Sequence, residues 1–148
     1  VMMLEYHNNP QATKEKYADG WLITGDLGVM DYAGYFWFKG RKDDVITSRG
    51  YRIGPSEIED VLISHPAVAM AAVVGIPDPV LTEKIKAFAI LAEGYDGSDE
   101  LVKELKQIVR SRLAHHEVPH LFEFVAEFPM TATGKIVRRE LRSRSSGD

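Results

Sequence analysis

A glycine-rich and charged stretch between residues 21 and 52 holds the first residues whose types could do chemistry. It contains Thr24, Gly25 and Asp26, then Gly40, Arg41, Lys42, Asp43 and Asp44, then Arg49, Gly50, Tyr51 and Arg52. Glycine lets a backbone approach a ligand, a carboxylate can accept two sugar hydroxyl bonds, and arginine offers a planar fork of donors. Residue types alone leave a structural alternative open, in which Asp26 and Asp31 serve turns and Arg41 pairs with Asp44 at the surface.

A second candidate is the polar loop from residue 129 to residue 135, with the sequence PMTATGK. The ammonium group of Lys135 could neutralise charge that develops between a carboxylate and a phosphate, and it can act without titrating. The loop is not a phosphate loop of the Walker type, because the upstream glycine and the strand-to-helix context are absent. Spacing alone also fits a solvated lysine.

Three histidines, at positions 115, 116 and 120, raise the question of a metal site. Pro119 interrupts the helical spacing, and no cluster of carboxylates completes a ligand set. We therefore expect no metal to be bound by these residues.

Composition and charge exclude several classes of function. The 148 residues carry a formal net charge of -4, which argues against coating nucleic acid. The arginines near the end of the chain are therefore expected to form a solvated face: Arg138, Arg139, Arg142 and Arg144. The absence of cysteine excludes disulfides and thiolate zinc sites. No apolar run approaches the roughly 20 residues of a membrane span.

The first 40 or so residues are predicted to form a short helix near residues 11–17 and strands with turns at Asp19, Gly20 and at Ala33, Gly34. Five aromatic residues between positions 32 and 38 are good strand formers, but the segment is too short to bury both of its faces. The segment therefore resembles the edge of a larger domain. Val1 in place of an initiator Met also suggests a piece of a longer protein. The polar run from Gly40 to Asp44 indicates a domain boundary.

Beyond this boundary the periodicity becomes regular. Pro55 is suited to a helix start, and Ser56 followed by Glu59 resembles a capping box. Strands are predicted over residues 68–76, 84–91 and 122–125. A short basic helix is predicted over residues 137–144. A longer helix is predicted before the third strand from an apolar face that comprises Leu101, Leu105, Ile108, Val109 and Leu113. The predicted class is α+β, with a sheet of roughly three strands flanked by helices.

Several strings, in this order, resemble the adenylate-forming superfamily of AMP-binding enzymes. They are GWLITGDLG, GRKDDVI, SRGYRIGPSEIE, HPAV, GIPDP and PMTATGKIVRREL, and together they cover essentially the whole chain. The string GYRIGPSEIE is most similar to medium-chain and short-chain acyl-CoA synthetases. The resemblance implies that residues 1–42 are the β-rich end of a large N-terminal domain and that residues 43–148 are the mobile C-terminal lid domain.

The resemblance also implies roles for individual residues. Asp26 would hold the ribose hydroxyls of the nucleotide, Arg41 would contact the ribose and phosphate region, and Lys135 would bind nucleotide and serve adenylation. Asp43 would be the hinge. Rotation about it would exchange the loop that carries Lys135 for a face that lines the pantetheine tunnel of coenzyme A, formed by Arg49, Gly50, Tyr51 and Arg52.

By the same resemblance, the parent enzyme would use ATP with Mg²⁺, a carboxylic acid and coenzyme A, in the cytoplasm or the mitochondrial matrix. ATP and Mg²⁺ would be bound mainly by the missing N-terminal domain, so the fragment alone is expected to be inactive. Acetylation of Lys135 by a protein acetyltransferase would delete its charge. Two alternatives remain open: the adenylation domain of a peptide synthetase, and a non-catalytic module for nucleotide binding or interaction.

Overall fold

The computed structural model describes residues 3–145, which fold as two compact units. One unit ends at Asp43 and the other begins at Asp44. The boundary predicted from the sequence falls one residue earlier, before Asp43. The assignment of the first unit to the end of a larger domain stays a prediction.

The first unit consists of a short helix and two small antiparallel hairpins. Its elements are α1 (Pro10–Glu15), β1 (Tyr17–Ala18), β2 (Trp21–Leu22), β3 (Asp26–Met30) and β4 (Phe36–Arg41). Asp31 fixes the turn between β3 and β4, because its carboxylate accepts bonds from the Ala33 and Tyr35 amides and from the Trp37 indole. The bond from Trp37 and the amide bonds lower the pKa of Asp31. The aromatic side chains of this hairpin are exposed, as its short length predicts.

The second unit is built on a five-stranded sheet. After a single 3-10 turn (Lys42–Asp44), its elements are β5 (Ile46–Ser48), β6 (Tyr51–Ile53), α2 (Pro55–Ile63), β7 (Val68–Asp78), β8 (Thr82–Leu91), α3 (Asp99–Arg112), a 3-10 turn (His115–Glu117), β9 (Leu121–Phe124) and α4 (Arg138–Ser145). The order is β6-β5-β8-β7, and β9 pairs with β8 in parallel. The edge of β8 opposite β7 is therefore shared by β5, at Thr82, and β9, along Lys86–Ala89.

The long hairpin of β7 and β8 is buried on both faces. Val73 and Ile85 belong to a core that α2 and α3 cover, whereas Val74 and Phe88 belong to a second core that includes Leu141 of α4. Strands buried on both faces have apolar side chains at successive positions, which explains the nearly continuous apolar run from residue 68 to residue 76. At the tip of the hairpin, the side-chain bond from Lys84 and the amide bonds of Leu81 and Val80 lower the pKa of Asp78 to about 2.

The structure confirms the α+β class and differs from the expectations in two details. The sheet has five strands rather than roughly three, because the polar segment around Arg49 forms the hairpin β5–β6. The predicted capping box is wrong, because the residue that caps α2 is Gly54 and no side chain bonds there. Glu59 instead faces inward and is buried. Within residues 3–145, no helix combines the length and the apolarity that a membrane crossing requires.

Candidate functional site

Asp26 and Arg41 are the candidate residues of the first unit, and they lie at the open end of the β3–β4 hairpin. They are directly opposite in the register, and Arg41 Nη1 donates to Asp26 Oδ1 at 2.8 Å and to the Thr24 carbonyl at 3.0 Å. The Arg41 side chain lies across Gly25, where an added Cβ would approach Nη2 to 3.1 Å. Both side chains keep 43% of their surface exposed. The pair can therefore offer a carboxylate and a guanidinium to one ligand.

The structural alternative paired Arg41 with Asp44, but the carboxylate that Arg41 contacts at 2.8 Å is that of Asp26. Asp31 does serve a turn, as that alternative held. Asp43 ends the first unit with a side chain that is 80% exposed and lies 3.8 Å from Arg41 Nη2.

Arg49, Gly50, Tyr51 and Arg52 lie at the tip and on the second strand of the β5–β6 hairpin. Arg49 and Gly50 have φ of 51° and 81°, the pair of positive angles that a two-residue type I′ hairpin requires. Ser48 and Tyr51 close the turn as paired residues. This turn explains why a glycine stands at position 50 without reference to any ligand.

A positively charged cleft of about 540 Å³ lies beside this hairpin. Its lining residues are Ser48, Arg49, Tyr51, Lys106, Arg110, His115, His116, Val118, Pro119 and His120. Three of them carry permanent positive charges, three are histidines, and the lining residues described include no carboxylate. The rings of Tyr51 and His116 stack with their centroids 3.9 Å apart. Such a cleft suits a ligand with phosphate groups and a flat ring.

The surroundings of His120 favour its neutral form over its charged form. Burial lowers its pKa, and the nearby charges of Arg49, Lys84 and Lys106 lower it further. The Nδ1 atom accepts a bond from the Ile85 amide at 3.1 Å, which requires that nitrogen to be unprotonated. None of the histidines, aspartates and glutamates within residues 3–145 form a cluster of three that could hold a metal ion.

Lys135 lies on a tight, exposed loop closed by the bridge between Met130 and Ile136. Thr131 organises this loop, because its amide donates to the Lys135 carbonyl at 2.8 Å and its hydroxyl accepts from the Lys135 amide at 3.0 Å. Gly134 has φ of 77°, so the turn requires a residue that tolerates a left-handed backbone. The backbone around Lys135 is thus fixed while its ammonium group reaches solvent.

The structure divides the predicted site residues between the two units. Asp26, Arg41 and Asp43 belong to the first unit, and the Arg49–Arg52 hairpin and Lys135 belong to the second, on separate loops. The sequence did not reveal the two cationic residues of α3 that line the cleft, Lys106 and Arg110, because they look like ordinary charges on the polar face of a helix.

A buried ionic network was also missed, and a signal for it existed. Glu59 stands between Ile58 and Leu62 on the apolar stripe of α2, which is an unusual place for a carboxylate without a buried partner. Its partners are Arg138 and the Val73 amide. Arg138 also bonds to Asp44.

Comparison with known proteins agrees with this architecture. Acetyl-coenzyme A synthetase of Bacillus subtilis is 47% identical over 143 residues, and mouse acyl-coenzyme A synthetase ACSM4, mitochondrial, is 50% identical over 145 residues. These alignments cover 96% and 97% of this chain but 25% of each relative. The chain thus spans about a quarter of the length of the curated relatives it matches.

A solved structure shares the fold as well. The crystal structure of the anthranilate CoA ligase AuaEII in complex with anthranoyl-AMP matches with a TM-score of 0.88 and 39% identity, over 97% of this chain and 28% of that one. The family model for the AMP-binding enzyme C-terminal domain matches residues 57–135, more than half of the chain. The chain therefore belongs to the AMP-binding enzyme C-terminal domain family of adenylate-forming enzymes.

Proposed function

We propose that this chain is the C-terminal part of an ATP-dependent acyl-CoA synthetase and that residues from 43 onward act as its mobile lid. In the first half-reaction, a carboxylate oxygen attacks the α-phosphorus of ATP, giving an acyl-adenylate and pyrophosphate. In the second, the coenzyme A thiol attacks the acyl carbon and AMP leaves, giving the thioester. The observation that carries the proposal is that one compact unit presents two separate cationic elements, the Lys135 loop and the hairpin beside the basic cleft.

The exposed Asp26 and Arg41 pair supports a nucleotide-binding role. The Asp26 carboxylate would accept bonds from the ribose hydroxyls, and Arg41 would contact the ribose and the phosphates. The bond between them, at 2.8 Å, would orient both groups before the nucleotide arrives. The exposed aromatic face of β3–β4 fits a segment that the rest of a large domain would cover.

Lys135 would act in adenylation by stabilising the negative charge that develops as pyrophosphate leaves. Its fixed loop backbone limits the positions that the ammonium group can reach. Mg²⁺ requires several oxygen ligands, and the described residues of this chain offer no cluster that fits them. We expect the ion to arrive with ATP and to be held by the part of the enzyme outside this chain.

The hairpin Arg49–Arg52 and the basic cleft would receive coenzyme A. The turn at Gly50 leaves room for the pantetheine arm, and an added Cβ there meets no atom within 4 Å. Arg49 would contact phosphate groups, with Lys106 and Arg110 of the same cleft. Asp43, at the junction of the two units, would be the hinge about which the lid exchanges one element for the other.

The experiment that tests this proposal measures the two half-reactions separately in the whole synthetase. Lys135→Ala should slow pyrophosphate exchange by about 10²-fold to 10³-fold, the usual cost of removing one electrostatic contact to a transition state. It should leave transfer from supplied acyl-adenylate to coenzyme A nearly unchanged. Lys103→Ala, at an exposed lysine of α3, is the control. Pyrophosphate exchange at the unaltered rate in the Lys135→Ala enzyme would contradict the proposal.

A panel of carboxylic acids in the same assay would identify the acyl substrate, and the isolated chain should be inactive with all of them. Transfer to coenzyme A distinguishes a synthetase from a peptide-synthetase adenylation domain, which passes its acyl group to a carrier. We propose a cytoplasmic location, with the mitochondrial matrix as the alternative that the name of the mouse relative favours. Cell fractionation with an antibody to this chain decides between them.

A further inference from the structure

The first observation is the ionic network around Glu59, which is only 8% exposed. Arg138 Nη2 donates to both Glu59 oxygens, at 2.9 and 2.8 Å, and Nη1 lies 3.4 Å from Asp44 Oδ2. Arg142 donates to the other Asp44 oxygen at 3.2 Å. Glu59 Oε1 also accepts from the Val73 amide at 2.8 Å. The network therefore joins the start of the unit, α2, β7 and α4.

The network connects the Lys135 loop to the residue that follows the proposed hinge. Asp44 is the first residue of the unit and follows Asp43 directly, while Arg138 begins α4 and stands three residues after Lys135. The Val137 amide donates to the Pro129 carbonyl at 2.8 Å, which closes the base of the Lys135 loop. Arg138 thus fixes that base to the residue next to the proposed hinge.

The second observation is a separate attachment of the β5–β6 hairpin. The Thr47 amide donates to Glu83 Oε2 at 2.6 Å, and the Ser48 hydroxyl donates to the Glu83 carbonyl at 2.6 Å. Gly75 makes room for the Glu83 carboxylate, because a Cβ at that position would lie 2.6 Å from Oε1. The direct strand register between β5 and β8 is only the pair Ser48 and Thr82. The hairpin is also held by the buried side chains of Ile46 and Ile53 and by the Arg49 amide, which donates to the Leu81 carbonyl at 3.0 Å. The Glu83 carboxylate adds a side-chain acceptor that fixes the position of Thr47.

The two attachments share no residue. Because they use different side chains, we expect that a variant can disturb the position of the Lys135 loop and leave the hairpin in place, and the reverse. We propose, on the basis of the function proposed above, that Arg138 and Glu83 are positioning residues. Arg138 would act in adenylation by holding the loop that carries Lys135. Glu83 would act in thioester formation by holding the Arg49–Arg52 hairpin.

The test is a crossed comparison of both half-reactions in the whole synthetase. Arg138→Met should slow pyrophosphate exchange by about tenfold to a hundredfold, the cost of a misplaced catalytic group, and leave thioester formation within about twofold. Glu83→Met, which removes the acceptor for the Thr47 amide, should show the opposite pattern. Arg139→Met and Glu93→Met are matched controls at exposed positions.

The conservative variants separate positioning from general damage. Glu83→Gln keeps an acceptor oxygen and should recover most of the thioester rate, while Gly75→Ala should expel the Glu83 carboxylate and repeat the Glu83→Met pattern. If Arg138→Met does not fold, Arg138→Lys replaces it, because a lysine keeps the charge but loses the fork and should still slow pyrophosphate exchange alone.

Two outcomes would overturn the inference: both half-reactions slowed in the same proportion by each variant, or neither slowed by either. Lys135→Ala in the same series separates this failure from a failure of the proposed function. A Lys135→Ala enzyme with normal pyrophosphate exchange rejects the function itself. If Lys135→Ala slows pyrophosphate exchange and Arg138→Met does not, only the positioning role of Arg138 is rejected.

Discussion

Replacing Glu59 by alanine should lower the free energy of unfolding by about 3 kcal/mol, because it removes one partner of a buried ion pair. The change leaves the Val73 amide without its acceptor inside the sheet, which alone costs about 1–3 kcal/mol. It also leaves Arg138 with Asp44 as its carboxylate partner, at 3.4 Å. We expect the low end of the range for buried pairs, because the Arg138 side chain keeps 22% of its surface exposed.

Two further variants of α2 make the measurement specific. Glu59→Gln keeps an oxygen for the Val73 amide but loses the charge that Arg138 binds, so it should cost about 1–2 kcal/mol. Asp60→Ala changes the exposed neighbour and should stay within about 0.5 kcal/mol of the unaltered chain. The order expected is therefore Glu59→Ala, Glu59→Gln, then Asp60→Ala, from the most to the least destabilised.

Urea unfolding followed by circular dichroism is the suitable assay, because both tryptophans, Trp21 and Trp37, lie in the first unit and their fluorescence would report on that unit. The denaturant slope should remain the same among the variants, so that midpoints report stability. If Glu59→Ala unfolds at the same urea concentration as Asp60→Ala, the buried network does not stabilise the unit and the reasoning is wrong.

Three other predictions concern pH, backbone conformation and modification. Because the folded state lowers the pKa of His120 below its usual 6.5, the unfolded state binds more protons, so stability should fall as pH drops below about 6.5. His120→Asn, whose oxygen can accept from the Ile85 amide, should flatten the change in thermal midpoint between pH 7 and pH 5; an equal slope in both proteins would contradict this. Gly50→Ala should cost about 1 kcal/mol in unfolding experiments because of its positive φ, and Gly50→Asn should cost less; equal stabilities would exclude strain as the reason for this glycine. Acetylation of Lys135 removes its charge and should slow pyrophosphate exchange by the same factor as Lys135→Ala; an acetylated enzyme with the normal rate would reject the switch.

Local periodicity predicted the regular elements well. The run from residue 68 to residue 76 forms most of the buried strand β7, and the apolar stripe of α3 places Leu101, Leu105 and Val109 in the core. These elements can be predicted from local sequence, because the spacing of apolar side chains indicates whether a segment buries one face as a helix or as a strand. The turn at Asp31 was equally local, because its side chain bonds to amides two and four residues away.

The motifs of the sequence by themselves determined the family and named the candidate residues Asp26, Arg41 and Lys135. Only the tertiary structure showed how the second unit holds its two cationic elements, because the bonds that do so join residues far apart in the chain. Arg138 and Glu59 are separated by 79 positions, and Thr47 and Glu83 by 36. No local pattern specifies such partners. In the sequence, a carboxylate that will be buried cannot be distinguished from one that lies on a helix surface or caps a helix, because only the folded chain decides which charges leave water.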